Sequence, residues 1–129
     1  MLLGVVAGLT TARVASAQAG CAAASQAAAL ENEGVAANQS SSYATAYERF
    51  ERSYRMCCGA RAQARMAIAL MAMERWGEAG TWMRRALAMA ADPWVAANRE
   101  LLMQQLREIE RHEGGASMPM RIAAVACRK

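Results

Sequence analysis

The sequence predicts an all-α protein, and three observations carry that reading. From Ala22 to Glu113 the chain is built mostly of Ala, Leu, Met, Arg, Glu and Gln, which lose little freedom in a helix. No segment alternates apolar and polar residues over a useful length, so nothing reads as a strand. Short clusters of turn residues interrupt the helix formers at Asn38-Gln39-Ser40-Ser41-Ser42, Cys57-Cys58-Gly59, Arg75-Trp76-Gly77 and Asp92-Pro93.

Residues 1–19 stand apart from the helical domain. MLLGVVAGL is an apolar run too short to span a bilayer, and small residues follow it, ending in Ala17-Gln18-Ala19. That order is expected of a secretory signal peptide with its cleavage site. The first cation is Arg13, so the usual basic start is missing, and either the signal is atypical or the true start lies upstream. A buried N-terminal helix is the weaker alternative, because Gly4, Gly8, Thr10 and Thr11 are poor helix formers. Gln18-Ala19-Gly20-Cys21 also resembles a bacterial lipoprotein box that would anchor a lipid at Cys21, except that Gln18 stands where an aliphatic residue is usual.

The breaks divide the remainder into five helices, at about 22–37, 43–56, 60–74, 78–91 and 93–113. Gly59 is expected to take the positive φ that ends a helix. Asp92 reads as an N-cap with Pro93 at the first helical position, and Gly114-Gly115 stops the last helix. Short connections force neighbouring helices antiparallel, so the first four form two hairpins at about 22–56 and 60–91. The helix at about 93–113 closes a domain of residues 20–113. Residues 114–129 are left as a flexible tail or one short strand.

The two hairpins are copies offset by 33 positions, as from Gly34 to Ala67. Leu30, Gly34, Ala37, Tyr43, Ala46, Phe50 and Ser53 in the first match Gln63, Ala67, Leu70, Trp76, Ala79, Met83 and Ala86 in the second. This pattern, with Pro93 after it, resembles the tetratricopeptide repeat. Close packing explains the pattern. Small residues at Gly34/Ala67 and Ala46/Ala79 admit the partner helix, and large ones at Phe50/Met83 and Tyr43/Trp76 fill the space between repeats. Glu33 stands where a large apolar residue is usual, and Pro93 comes two residues late. The run Arg75-Trp76-Gly77-Glu78-Ala79, with Asp92-Pro93-Trp94-Val95 and Asn98-Arg99, is similar to exported tetratricopeptide proteins of GC-rich bacteria, in which a small β-rich PEGA domain often follows. That domain is absent from this sequence.

The resemblance implies a right-handed α-solenoid fragment, two hairpins and a capping helix, with a partner groove lined by the first helix of each hairpin. It assigns Glu31, Val35 and Asn38 to that groove, then Arg61, Ala64, Ile68 and Met71, with Glu100, Gln104 and Arg107 from the cap. The expected ligand is a peptide or partner helix, with Arg61 or Arg107 taking a carboxylate. The implied function is an exported adaptor or scaffold, periplasmic or secreted. The alternative is a structural spacer or self-associating envelope protein, possible as a homodimer or as a fragment of a larger tetratricopeptide–PEGA protein.

Other chemistries are disfavoured. The balance of 15 basic to 11 acidic residues leaves a net charge of +4, and no basic run longer than two residues offers nucleic acid a stripe. Four cysteines in an exported chain favour disulfides over a metal site, since no CxxC or HxxxH spacing is present. In an antiparallel hairpin Cys21 and the end of the second helix lie at one end, so Cys21 reaches Cys57 or Cys58. His112, the only histidine, suits the helix dipole at a C-terminal turn better than catalysis, having no nucleophile and carboxylate to pair with. Glu48–Arg52 and Glu51–Arg55 read as solvated ion pairs. No enzyme and no cofactor is expected.

Overall fold

The computed structural model describes residues 20–114, and these are helical apart from their connections. Five α-helices follow one another: α1 (Ala24–Gln39), α2 (Tyr43–Cys57), α3 (Ala60–Ala72), α4 (Trp76–Ala88) and α5 (Pro93–Glu113). Each packs against the next, and α3 also touches α5. Arg61 and Arg65 of α3 reach Glu31 of α1, so α1, α3 and α5 form one row. On the other side Tyr54 of α2 meets Trp82 of α4 edge to face, with ring centroids 5.2 Å apart. The expected signal segment and tail lie outside the described residues.

The repeat is written in the backbone as well as in the sequence. At the end of α1, Ser42 N–H donates to Ala37 O at 2.8 Å, and at the end of α3, Arg75 N–H donates to Leu70 O at 2.9 Å. Ser40 to Ala36 and Met73 to Ala69 repeat the second bond of the turn, and Ser41 and Glu74 both sit at φ 59°. Each participant lies 33 positions after its counterpart (Ser41 to Glu74). Both first helices therefore end in the same left-handed turn, which satisfies their last carbonyls.

That turn corrects two expected boundaries. The left-handed residue after α3 is Glu74, so α4 begins at Trp76 and carries Gly77 in its first turn, two residues earlier than expected. Between α2 and α3 it is Cys58, at φ 54°, that turns left-handed, while Gly59 is extended at φ −72° and ψ 141°. Gly59 is buried at the entry to α3. The last turn follows expectation: Asp92 Oδ1 accepts from Trp94 N–H at 2.9 Å and Val95 N–H at 3.1 Å, with Pro93 opening the helix.

The core lies between the two rows. α3 is central, with eight of its 13 residues buried, including Ala60, Ala62, Ala64, Ala67 and Ala69 at 0–1 % exposure. Small side chains let α2, α4 and α5 crowd around it, and Phe50, Met66, Leu70, Trp82, Met83 and Ile109 fill the gaps. Each such large side chain contributes on the order of 1.5–3 kcal/mol. A Cβ on Gly34 would lie 2.7–2.8 Å from the Phe50 ring, so glycine is required for α1 to meet α2. Cys21 and Cys57 form a disulfide with Cα atoms 5.6 Å apart, tying the start of α1 to the end of α2. It is one of the two pairings expected for Cys21.

Candidate functional site

The face built by α1, α3 and α5 concentrates the chemistry that the core does not consume. α3 is so enclosed that only a narrow stripe of it reaches solvent, running through Arg61, Arg65, Ile68 and Ala72. Val35 on α1, Ile68 and Met71 on α3 and Met103 on α5 are half-buried against the core, leaving an apolar row across the three helices.

Glu31 is the electrostatic centre of this face. It is 1 % exposed, and Arg61 donates to its Oε2 from Nε at 2.9 Å and from Nη2 at 2.5 Å. Arg65 Nη1 stands 3.8 Å from the same oxygen, too far for a direct hydrogen bond. Burial pulls the Arg65 pKa below the usual guanidinium value, Glu31 opposes that shift, and Arg61 adds to it. Arg65 is therefore a partly desolvated cation, and the anion beside it among the described residues, Glu31, is already held by Arg61. Among the described residues Glu31 Oε1 has no hydrogen-bond partner, and neither has Asn38 Oδ1 two turns further along α1. Both are buried acceptors, and each costs free energy until a donor reaches it.

The residues expected in the groove are thus divided. Val35, Asn38, Ile68 and Met71 border the face and keep some exposure. Glu31 is too buried to meet a partner except through Oε1, and Arg61 is spent on Glu31, so neither is the free group expected. Ala64 is fully buried and cannot line a groove. Glu100, Gln104 and Arg107 are exposed on α5, but Met103, one position before Gln104, is the residue at the apolar row. Arg65 and Met103 were missed; Arg65 follows Arg61 by one helical turn, a spacing that places both on one stripe.

The packing positions also sort by burial. Ala46, Phe50, Ala67, Leu70, Ala79, Met83 and Ala86 are fully buried, and Gly34 is in contact with Phe50. Pro93 is exposed and serves only to start α5, which corrects its assignment to the packing set. Trp76 is half-buried, and its ring stacks on His112 with centroids 3.8 Å apart and planes 5° from parallel. His112 Nε2 lies 3.2 Å from Glu108 Oε1. Beyond a favourable place at a helix end, His112 therefore joins the end of α5 to the start of α4. Arg84 adds a second tie by binding Glu113 at 2.6 Å, a bond that raises the Arg84 pKa.

A shallow depression of about 670 Å³ beside the end of α5 is lined by Gln104, Arg107, Glu110 and Arg111. Its walls are polar and charged side chains of the single helix α5, so no second element faces a ligand across it. Among the described residues no group of three or more His, Cys, Asp or Glu is arranged to hold a metal ion. No described helix is long and apolar enough to cross a membrane. Comparison with protein families, curated proteins and solved structures finds no match to this chain.

Proposed function

We propose that this chain is an exported, tetratricopeptide-like docking module that holds an extended peptide against the α1–α3–α5 face. The observation that carries the reading is the pair of orphaned acceptors, Glu31 Oε1 and Asn38 Oδ1, on either side of half-buried Val35. Seven residues of helix separate them, about 10 Å along the axis, which is close to three residues of extended chain. An extended backbone laid there supplies N–H donors to both oxygens while its side chains cover Ile68, Met71 and Met103. The desolvated Arg65 guanidinium adds a preference for a ligand carboxylate.

The repeated left-handed turns at Ser41 and Glu74 support the tetratricopeptide likeness, because they give both hairpins one geometry. The Cys21–Cys57 bond supports export, since such bonds persist in oxidising compartments. The role is passive recognition, with complementarity as its mechanism. Display of a random-peptide library on the folded protein tests it. Enriched peptides are expected to carry an acidic residue among apolar ones and to lose at least about tenfold in affinity against Ile68→Glu or Arg65→Glu. Peptides that bind both variants as well as the parent protein would place the docking site elsewhere.

A further inference from the structure

Of the residues α1 buries, Ala27, Leu30, Glu31 and Gly34, only Leu30 carries an apolar side chain larger than a methyl, whereas every other helix buries at least two. Nor does α1 support itself. Ala23 at its N-cap makes no side-chain bond, its first turn has no acid and its last no base, and Gly34 interrupts its middle. A helix of 16 residues built this way is marginal alone. We propose that the Cys21–Cys57 bond is a redox latch: its reduction lets α1 leave the surface of α2 and α3.

The polar ties of α1 are weak substitutes for the bond. Arg49 meets Glu33 at 3.0 Å, but the Glu33 side chain is 58 % exposed, and such a pair contributes little. Arg61 binds Glu31 closely, yet burying that carboxylate offsets most of what the pair gains, and both groups rehydrate when α1 departs. One neutral bond remains, from Ser53 Oγ to Ala27 O at 2.9 Å. The disulfide acts differently, because it fixes the start of α1 to the end of α2 while the turn at Ser40–Ser42 holds the other end. Anchored at both ends, an undocked α1 gains little freedom. Anchored at one, it gains the entropy of a loose chain.

Glu31, Val35 and Asn38 travel with α1, so opening removes both bare acceptors from the α1–α3–α5 face. It also uncovers the Phe50 ring beside Gly34 and takes the carboxylate from Arg61. The latch thereby makes docking conditional on an oxidising environment. This consequence rests on the docking reading above; the motion of α1 does not.

Opening requires an external protein dithiol. One carrier thiolate attacks Cys21 Sγ, which is more exposed than Cys57 at 8 %. The Cys21–Cys57 bond breaks, Cys57 leaves as a thiolate, and a mixed disulfide joins the carrier to Cys21. The second carrier thiolate then attacks the carrier sulfur of that bond and releases Cys21. Two electrons pass from the carrier to the chain, the carrier becomes a disulfide, and its two thiol protons end on Cys21 and Cys57. An oxidised carrier reverses the step.

Hydrogen exchange on the full chain tests the latch, comparing the parent with Cys21→Ser/Cys57→Ser. Cys58 is disulfide-bonded as well, so the double variant isolates one bond where a reductant would not. Amides of α1 are expected to exchange about a hundredfold faster in the variant, while α3, α4 and α5 keep the parent's protection. Unchanged protection of α1 overturns the latch. An equal loss in all five helices also overturns it, since the bond would then support the whole fold. Peptides selected on the oxidised parent are expected to bind the variant at least about tenfold more weakly, because the competent face is seldom assembled. If α1 exchanges fast and those peptides bind both proteins equally, the coupling to docking is overturned. If α1 exchanges fast and no peptide can be selected on the parent, the docking reading fails and the latch stands.

Discussion

Arg61 places two donors on a single oxygen of Glu31, Nε at 2.9 Å and Nη2 at 2.5 Å, and leaves the other oxygen bare. The pair is asymmetric, because Glu31 is buried whereas Arg61 retains a path to solvent. Removing the arginine strands a buried carboxylate, while removing the carboxylate leaves cations able to rehydrate. Arg61→Ala is expected to cost about 2–4 kcal/mol, with Arg65 moderating the loss. Glu31→Met is expected to cost less than Arg61→Ala, because both guanidiniums keep part of their exposure. Urea melts of the two variants check this, and equal losses would show that the pair is not buried in solution.

Gly34 and Gly80 make a contrasting pair. An added methyl at Gly34 strikes the buried Phe50 ring, which has no room to move. Gly34→Ala is expected to destabilise by about 1–3 kcal/mol despite the better helix propensity of alanine. At Gly80 the added Cβ meets the carboxylate of Glu113, the end of a flexible chain. Gly80→Ala is expected to be neutral or to stabilise by up to about 1 kcal/mol, the propensity gain less any weakening of the Arg84–Glu113 tie. Thermal melts of both variants read the difference in sign.

The Cys21–Cys57 bond closes a loop with a sequence separation of 36. Cys57→Ser is expected to lower stability by about 4 kcal/mol through the entropy restored to the unfolded chain. Guanidinium unfolding should show the midpoint fall. A loss under about 1 kcal/mol would indicate that the start of α1 is held by packing alone, for which buried Ala27 and the Ser53 Oγ bond to Ala27 O at 2.9 Å are the available contacts.

Tyr47 contributes to the alkaline limb. Its phenol is pushed from 10.0 up to about 12, first by burial and then by Glu51, which repels the phenolate and accepts its hydrogen bond. Below pH 10 the phenol is protonated in folded and unfolded chains alike, and its contribution is whole. Between pH 10 and about 12 the unfolded chain releases the proton first, so stability falls across that window. Tyr47→Phe is expected to flatten this part of the pH–stability curve. An unchanged slope would assign the alkaline loss to other groups.

How much of this was visible in the residues differs from one place to the next. The Asp92-Pro93 cap was legible because a side-chain acceptor and a fixed φ act within three residues. The repeat was legible because Ala46, Phe50, Ala79 and Met83 alternate small and large at a constant offset. The turn residues were misplaced: Gly59 and Gly77 drew attention as glycines, yet Cys58 and Glu74 adopt the left-handed conformation. A local preference worth about 1 kcal/mol is outweighed when two packed helices dictate where the chain must turn. Ala64 was misread for the same kind of reason, since a helix enclosed by three neighbours exposes a narrower stripe than a repeat pattern suggests.

By itself the sequence determined the helical character and the five helices of the described residues, the 33-residue offset between Gly34 and Ala67, and the pairing of Cys21 with one of two adjacent cysteines. These depend on propensity, periodicity and proximity, which are short-range and written in consecutive residues. Only the tertiary structure decided that Glu31 is buried beneath Arg61, that Arg65 stands 3.8 Å from an oxygen Arg61 already holds, that His112 stacks on Trp76, and which acceptors are left bare among the described residues. Those outcomes depend on which faces of separate helices meet, and on how much water each contact excludes. Charge, burial and hydrogen bonding acquire their energies only when the helices have packed.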